Sequence, residues 1–443
     1  MLRIKLGFLA CAPALKDSWR KGWGLWIFSI SAFISFLGLL QERHWGHYRI
    51  FTGAAKSLWE GNSPYFDTFG TNLGFWFYSP SCGLFFFGPF LLLPTQWGIF
   101  AYVAISFVTF LAGLLTFLRT VLDLERTQWI PHRYFNWFWL LISFETMGAI
   151  LATKLELVII GLMLFVASWL IQGRMHFLSA VLMAMMINWK FQPLPVFGLM
   201  ICALFFWRNG RLPALKFGAY FVLALIFWFT IPFVHLGVEG LLKISLEWQR
   251  SLSRSINEAW VVFEHLFKLP LRLSGRTVEY RNLQIFSLSA AIVLASIVSF
   301  WTYRGRKVLT GPEVRKWSIS LALAWGCWYI VCLSPMSQGN AYVLYSPVLL
   351  LAIAVKSRFD RQMSSNWSRA LVVSIVMNGF LTSILYSDMF GKTSRLFFNE
   401  YGVKPYGVSI LMLCVTSYLF WLVGSPITEV RSNAANDAPA NSN

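Results

Sequence analysis

Four stretches of this chain, 97–118, 217–235, 283–302 and 408–424, run for about 17–22 residues without one Asp, Glu, Lys or Arg. Few folds accept such runs. About 20 apolar residues are needed to cross about 30 Å of hydrocarbon. Inside lipid only helices and closed barrels satisfy every backbone N–H and C=O. The runs are continuous and do not alternate, which excludes the barrel. The chain is predicted to be all-α, a polytopic helical membrane protein with about twelve spans.

Composition agrees: 57% of the 443 residues are hydrophobic and 13% are charged, about half the charged fraction of a soluble domain. The net charge of +18 raises the possibility of a nucleic-acid partner. The basic residues lie mostly in short linkers between apolar runs, as the positive-inside bias requires, so no nucleic acid is expected. Cys11, Cys82, Cys202, Cys327, Cys332 and Cys414 are scattered, without metal-type spacing, and read as packing residues.

Loop charges set a topology. Arg3, Lys5, Lys16, Arg20 and Lys21 place the first residues in the cytoplasm, and the apolar run there is too short for a signal peptide. Basic linkers at 119–133, 173–176, 208–216, 303–316 and 356–369 then fall inside. Segment 74–94, which holds three prolines and three glycines, is predicted to be re-entrant or interfacial. This gives one integral domain over 1–424 with long outer loops at 41–96 and 236–282. A polar cytoplasmic tail, predicted disordered, follows at 425–443. The second outer loop reads as an amphipathic helix, resting on headgroups or walling a substrate cleft. The expected location is the inner or plasma membrane, with both termini cytoplasmic.

Ionisable groups inside apolar sequence are costly and mark functional positions. Glu145 sits within an apolar run. Lys154 and Glu156 lie at the next turn, and Lys190 lies at the turn between two further apolar helices, flanked by Trp189, Phe191 and two prolines. The topology puts the last three on the outer side, where Glu156 and Lys190 could border one cavity. A solvated turn is the plain alternative for Lys154 and Glu156.

The first outer loop carries an ordered set of motifs. Ala54-Ala55 is followed by Gly61-x-x-Pro64-Tyr65, then Phe77-Tyr78-x-Pro80, then an apolar stretch ending in Leu93-Pro94. Further on come Lys190-x-x-Pro193 and Leu333-Ser334-Pro335, the latter followed by Pro347. Together these resemble glycosyltransferase family 87, polyprenol-phosphate-mannose-dependent mannosyltransferases of the GT-C superfamily. The resemblance implies a twelve-helix GT-C-like enzyme. It would move a hexose, mannose by preference, from a polyprenyl-phosphate carrier to a lipid or glycan acceptor on the outer face. Its partners would be membrane lipid, that donor and that acceptor; no soluble cofactor or metal is implied. Lys190, Arg250 and Arg254 would neutralise the donor phosphate, with Lys154, Glu156, Tyr48, Tyr65, Tyr78, Gln338 and Asn340 completing the substrate-binding set.

The chain departs from that pattern where chemistry is concentrated. The family's general base is an Asp seven residues before the Ala-Ala pair; here that position is His47. A neutral imidazole can accept a proton, and Glu42, Glu60 or Asp67 are the other candidate bases. Thr153-Lys154-Leu155-Glu156 stands where the family has Gly-Gln-x-Asn, and Met336 to Ala341 replaces its Trp and His pair. Two other classes stay open. A lipid-linked-sugar transporter or flippase would suit Glu145, although no second copy of the 74–94 pattern gives the paired broken helices of many transporters. A non-catalytic relative in envelope synthesis would leave His47, Glu60, Asp67 and Lys190 without a common cavity. His44 and His47 are spaced for one helix face, but two ligands are too few for a metal site.

Overall fold

A computed structural model describes residues 22–66, 78–124, 132–262, 266–274, 280–333, 339–360, 362–385, 398 and 401–424. Among them there is no strand. The helices, in chain order, are α1 Trp23–Gly38, α2 Gly46–Trp59, α3 Thr95–Val121, α4 His132–Leu151 and α5 Glu156–Gln172. Then follow α6 His176–Trp189, α7 Leu194–Phe206, α8 Arg211–Thr230, α9 Phe233–Val262 and α10 Lys268–Ser274. The chain closes with α11 Tyr280–Gly305, α12 Gly311–Leu333, α13 Ser346–Phe359, α14 Ser365–Gly379 and α15 Lys404–Gly424. Segment Cys82–Leu92 forms a π turn and a 3-10 turn, and a second π turn, Phe380–Ile384, extends α14.

Six of these segments are long and apolar enough to cross a membrane: α3, α8, Asn282–Gly305 of α11, α12, Tyr342–Phe359 and α15. Shorter apolar helices, among them α1, α5, α6 and α7, pack beside them. The burial pattern is that of a protein dissolved in lipid. On α8, Val222, Leu223, Ile226 and Phe227 are exposed; so are Ile285, Leu288, Ile292 and Val293 on α11, and Val372, Val373 and Val376 on α14. Water would penalise that much uncovered aliphatic surface, whereas lipid does not. The protein is therefore a helical membrane protein.

Against lipid, helices associate through close backbone approach rather than hydrophobicity. The α3–α5 crossing shows how: a Cβ on Gly113 would lie 2.2 Å from the Gly161 carbonyl oxygen, and one on Gly161 would lie 2.5 Å from the Thr109 carbonyl oxygen. Only glycine lets these helices touch there. At the α1–α4 contact, Gly24 plays the same part against the Asn136 backbone, and the Asn136 side chain accepts a hydrogen bond from Gly24 N–H at 3.2 Å. Helices α12 and α13 form the buried centre, contacted by α4, α5, α7, α11 and α15.

The segment between α1 and α3 packs closely where it is described. Helix α2 buries Tyr48, Ile50, Phe51, Ala54, Ala55 and Leu58, a stripe of helical period. The two alanines, fully buried, bring α2 against the Cys82–Leu92 turns. That segment, predicted to be re-entrant or interfacial, folds as two short turns and buries Cys82, Leu84 and Phe87. The amphipathic helix predicted for 236–282 is α9, which bends at Gly237, where φ is +70°. It buries Ile244, Trp248 and Ser251 while Val238, Leu242 and Leu246 stay exposed.

Candidate functional site

Three stretches distant in sequence meet at one end of the bundle: the start of α2, the α4–α5 turn, and the α6–α7 turn. The α4–α5 turn is tight because Thr153 adopts φ +49°, a conformation that a β-branched residue rarely takes. Two hydrogen bonds hold it there. Tyr48 N–H donates to Thr153 Oγ1 at 3.1 Å, and the Tyr102 hydroxyl donates to the Thr153 carbonyl at 3.4 Å. Tyr48 is the third residue of α2, so its N–H is one of the orphan donors of a helix start. Thr153 caps that helix from another part of the chain.

This cap puts His47 beside Lys154. The imidazole Nε2 stands 3.0 Å from Lys154 Nζ. Lys190, on the α6–α7 turn, places Nζ 2.7 Å from Glu156 Oε1 and 5.4 Å from the Tyr78 ring centroid. Lys154 and Glu156 are 4% and 2% exposed, so the solvated-turn alternative does not describe them. Glu156 Oε2 has no hydrogen-bond partner among the described residues. Two ammonium groups thus face one carboxylate and one imidazole in a nearly dry site.

The electrostatics follow from that arrangement. Burial, then the Lys154 charge, push the His47 imidazole down to about 3, so it is neutral at physiological pH. Burial also lowers Lys154 to about 8, against the attraction of Glu156. Below that pH Lys154 is an ammonium and can only donate, which makes His47 Nε2 the acceptor and leaves the ring proton on Nδ1.

Surrounding aromatics fix the frame. The Tyr65 hydroxyl donates to the Tyr78 carbonyl at 2.9 Å, and the Tyr78 ring packs edge-on to Phe51 at 5.4 Å. Ser79 and Ser81 both donate to Asn188 Oδ1, tying the segment between α2 and α3 to the end of α6. Phe191, next to Lys190, stacks on Trp248 of α9 at 5.5 Å and 8° between planes. The amphipathic helix therefore reaches the site as a wall. The Tyr48 hydroxyl is buried without a hydrogen-bond partner among the described residues.

Of the residues singled out from sequence, His47, Tyr48, Tyr65, Tyr78, Lys154, Glu156 and Lys190 come together. Glu42 and Glu60 do not: each is exposed and pairs on the surface, Glu42 with Arg49 at 2.8 Å and Glu60 with Lys56 at 3.9 Å. His44 neighbours Arg43 rather than His47's partners. Arg250 is exposed on α9, two residues beyond Trp248. Asp67 and Gln338 lie outside the described residues, as do the side chains of Arg254 and Asn340. Sequence reasoning missed Trp248 and Asn188, and it placed Thr153 in the turn motif without its capping role. Thr153 carries no charge, but it sits between Ala152 and Lys154 at a helix break, a pattern that suits a cap.

The fold and the site define a helical membrane protein with a buried, lysine-rich polar cluster at one end of its bundle. No protein-family model and no curated protein matches this chain.

Proposed function

We propose that the protein is a membrane glycosyltransferase, moving a hexose, by preference mannose, from a polyprenyl-phosphate carrier to an envelope lipid or glycan acceptor. One observation carries this reading: His47, Lys154, Glu156 and Lys190 converge with positive charge in excess, beside an aromatic wall. A phosphate leaving group needs preorganised cations, and an acceptor hydroxyl needs a base within hydrogen-bond reach.

The reading takes α1, α3–α8 and α11–α15 as twelve spans in a GT-C-like arrangement. Both termini are then inside, in a plasma or inner membrane. The 153–156 and 190–193 turns and the start of α2 lie together on the outer side, while the basic linkers lie on the inner side. That shared placement supports the topology, because the same turns are also joined by contacts.

In the proposed reaction the donor phosphate pairs with Lys154 and Lys190. Drawing Lys154 to the phosphate frees the His47 Nε2 lone pair and removes the cation that depresses its basicity. The acceptor oxygen attacks the anomeric carbon while its proton passes to Nε2. The bond between that carbon and the phosphate oxygen breaks, its electron pair leaving with the polyprenyl phosphate, and configuration inverts. Glu156 holds Lys190 in position. His47 stands in for the family's Asp on this path, and Glu42 and Glu60, both solvent-facing, take no part.

The test is transfer by purified protein in nanodiscs from radiolabelled polyprenyl-phosphate mannose to a membrane extract. Transfer abolished by His47→Ala and by Lys190→Ala, in folded protein, is the expected result. Absence of both transfer and donor binding in the wild type removes the reading. A transporter reading draws on one observation, the Glu145–Lys404 pair inside the bundle. It predicts instead that labelled lipid-linked sugar crosses a proteoliposome membrane without being hydrolysed or transferred.

A further inference from the structure

A second charged region lies at the far end of the helices that carry the lysine site. Helix α5 begins at Glu156 and runs 17 residues to Gln172, about 25 Å at 1.5 Å per residue. Helix α6 then starts at His176 and returns to Lys190. At this far end stand Arg174 and His176 around the α5–α6 turn, Lys216 on α8 and Arg315 on α12. The Arg315 and Lys216 charges both bear on the His176 ring. Phe177 meets Tyr220, one turn beyond Lys216, edge-on at 5.5 Å, which closes α6 on α8 beside them.

These cations lack local counter-charge. Between Glu156 and Glu239 the sequence holds no Asp or Glu. Glu313, in the first turn of α12 with Arg315, is taken by Lys316 at 2.9 Å, by Arg358 at 3.6 Å and by the Trp317 indole N–H at 2.8 Å. Arg315 is held by flat contacts instead. Its guanidinium lies 4.8 Å from the Trp207 ring centroid, and a Cβ on Gly173, where φ is +69°, would stand 2.5 Å from one of its terminal nitrogens. Trp207 is itself fixed, since its indole N–H donates to the Gly311 carbonyl at 3.0 Å. Stacking aims a guanidinium without spending its donors. Arg315 Nε, His176 Nδ1 and Ser179 Oγ are each buried with no hydrogen-bond partner among the described residues, and native structures rarely leave such groups empty-handed. Ser179, fully buried, lies three residues along α6 from His176 and so on the same face. No side chain caps α6, so its first N–H groups add positive potential there.

The chemistry selects the ligand. An oriented guanidinium, an ammonium, an imidazole and an uncapped helix start together suit a phosphate group. Arg174 and Lys216 are exposed and Arg315 and His176 are half-buried, so an anion reaches them from the surface and no enclosed cavity is needed. The surface beside them is apolar: Met175, Phe177 and Leu178 on one side and Leu212 and Leu215 on the other are exposed. A phosphate that settles here therefore carries hydrocarbon with it, as at basic notches between membrane helices. We propose that Arg315, Lys216 and the α5–α6 turn bind the phosphate of an anionic glycerophospholipid, its acyl chains lying along the exposed starts of α6 and α8. The site does not rest on glycosyl transfer, and the length of α5 separates it from Lys190.

The experiment titrates the full-length protein, in a nonionic detergent, with dioleoylphosphatidylglycerol or dioleoylphosphatidylcholine and counts bound lipid by native mass spectrometry. The expected result is a saturable phosphatidylglycerol site, preferred at least tenfold over phosphatidylcholine. Arg315→Gln should weaken it at least tenfold and Lys216→Gln several-fold, with Lys190→Ala unchanged. Arg306→Gln combined with Lys307→Gln removes two charges from another basic stretch and should also leave it unchanged. No preference in the wild type overturns the proposal. So does an equal loss in the Arg306 and Lys307 double variant, which would make the binding a general effect of charge, and so does loss in Lys190→Ala, which would move the lipid to the lysine site. Glycerol 3-phosphate serves as the soluble competitor, and displacement of the lipid at equal concentration would overturn the assignment to a lipid. Should Arg315→Gln not fold, Lys216→Gln decides, since that side chain is exposed.

Discussion

Lys190 and Glu156, 34 residues apart in sequence, meet at 2.7 Å with side chains only 12% and 2% exposed. The pair joins the α4–α5 turn to the α6–α7 turn, and everything else in the lysine cluster is arranged around it.

Removing one member leaves an uncompensated charge in a dry site. Glu156→Gln should destabilise the fold by about 3–5 kcal/mol, read as a lower unfolding midpoint in detergent. The double variant Glu156→Leu with Lys190→Met should recover much of that loss while remaining inactive. Equal midpoints for wild type and Glu156→Gln would show that the pair is not structurally coupled.

The protonation states give a pH prediction with a definite sign. Lys154 is held at about 8 in the folded protein, against an ordinary 10.5. If the ammonium binds the donor phosphate, kcat/KM falls as pH rises through about 8, and Lys154→Arg moves that limb upward. A limb that stays near 8 in Lys154→Arg assigns it to another group.

His47 makes the matching prediction for stability. Its folded value is about 3 against 6.5 unfolded, so between those limits the unfolded chain holds the extra proton. Stability therefore falls as pH drops from 6.5 toward 3, by at most about 1.4 kcal/mol per pH unit from this group, and the slope ends below 3. His47→Gln should remove this part of the slope. Titration of the imidazole near 6.5 by NMR would refute the assigned burial.

The α3–α5 crossing predicts a packing effect with a functional echo. Gly161→Leu places a side chain where a Cβ already stands 2.5 Å from a carbonyl oxygen, so the helices must part. We expect a loss of 2 kcal/mol or more in stability (about the size of an overpacked core). Activity should fall with it, because Glu156 begins the displaced helix. Gly198→Leu, at a glycine with open space, is the control and should fold normally.

Topology is checked by cysteine labelling in a background lacking the native cysteines. Glu60→Cys should react only from the outer side and Lys307→Cys only from the inner side. Labelling of both from one side would end the twelve-span reading.

Much of this was legible in advance, for physical reasons. A charge within an apolar run is conspicuous because lipid penalises it, so Glu145, Lys154, Glu156 and Lys190 stood out before any fold was known. The long spans were legible because hydropathy and length suffice. Pairing was not. Nothing near Glu145 names Lys404, 259 residues away, since α4 and α15 adjoin only in three dimensions. The capping role of Thr153 is not legible because its partner is the start of a distant helix, and a hydroxyl at a helix break has no distinctive hydropathy. Glu42 and Glu60 flank α2, one in the turn before its start and one just past its end, and there both are exposed and pair on the surface, which residue type alone does not reveal.

The Phe191–Trp248 stack links the cation site to a second element. Lys190 is tethered through Glu156, but its neighbour Phe191 leans on α9, whose other face shows Leu242 and Leu246 outward. A displacement of α9 would therefore be passed, one ring against another, to the turn that carries Lys190.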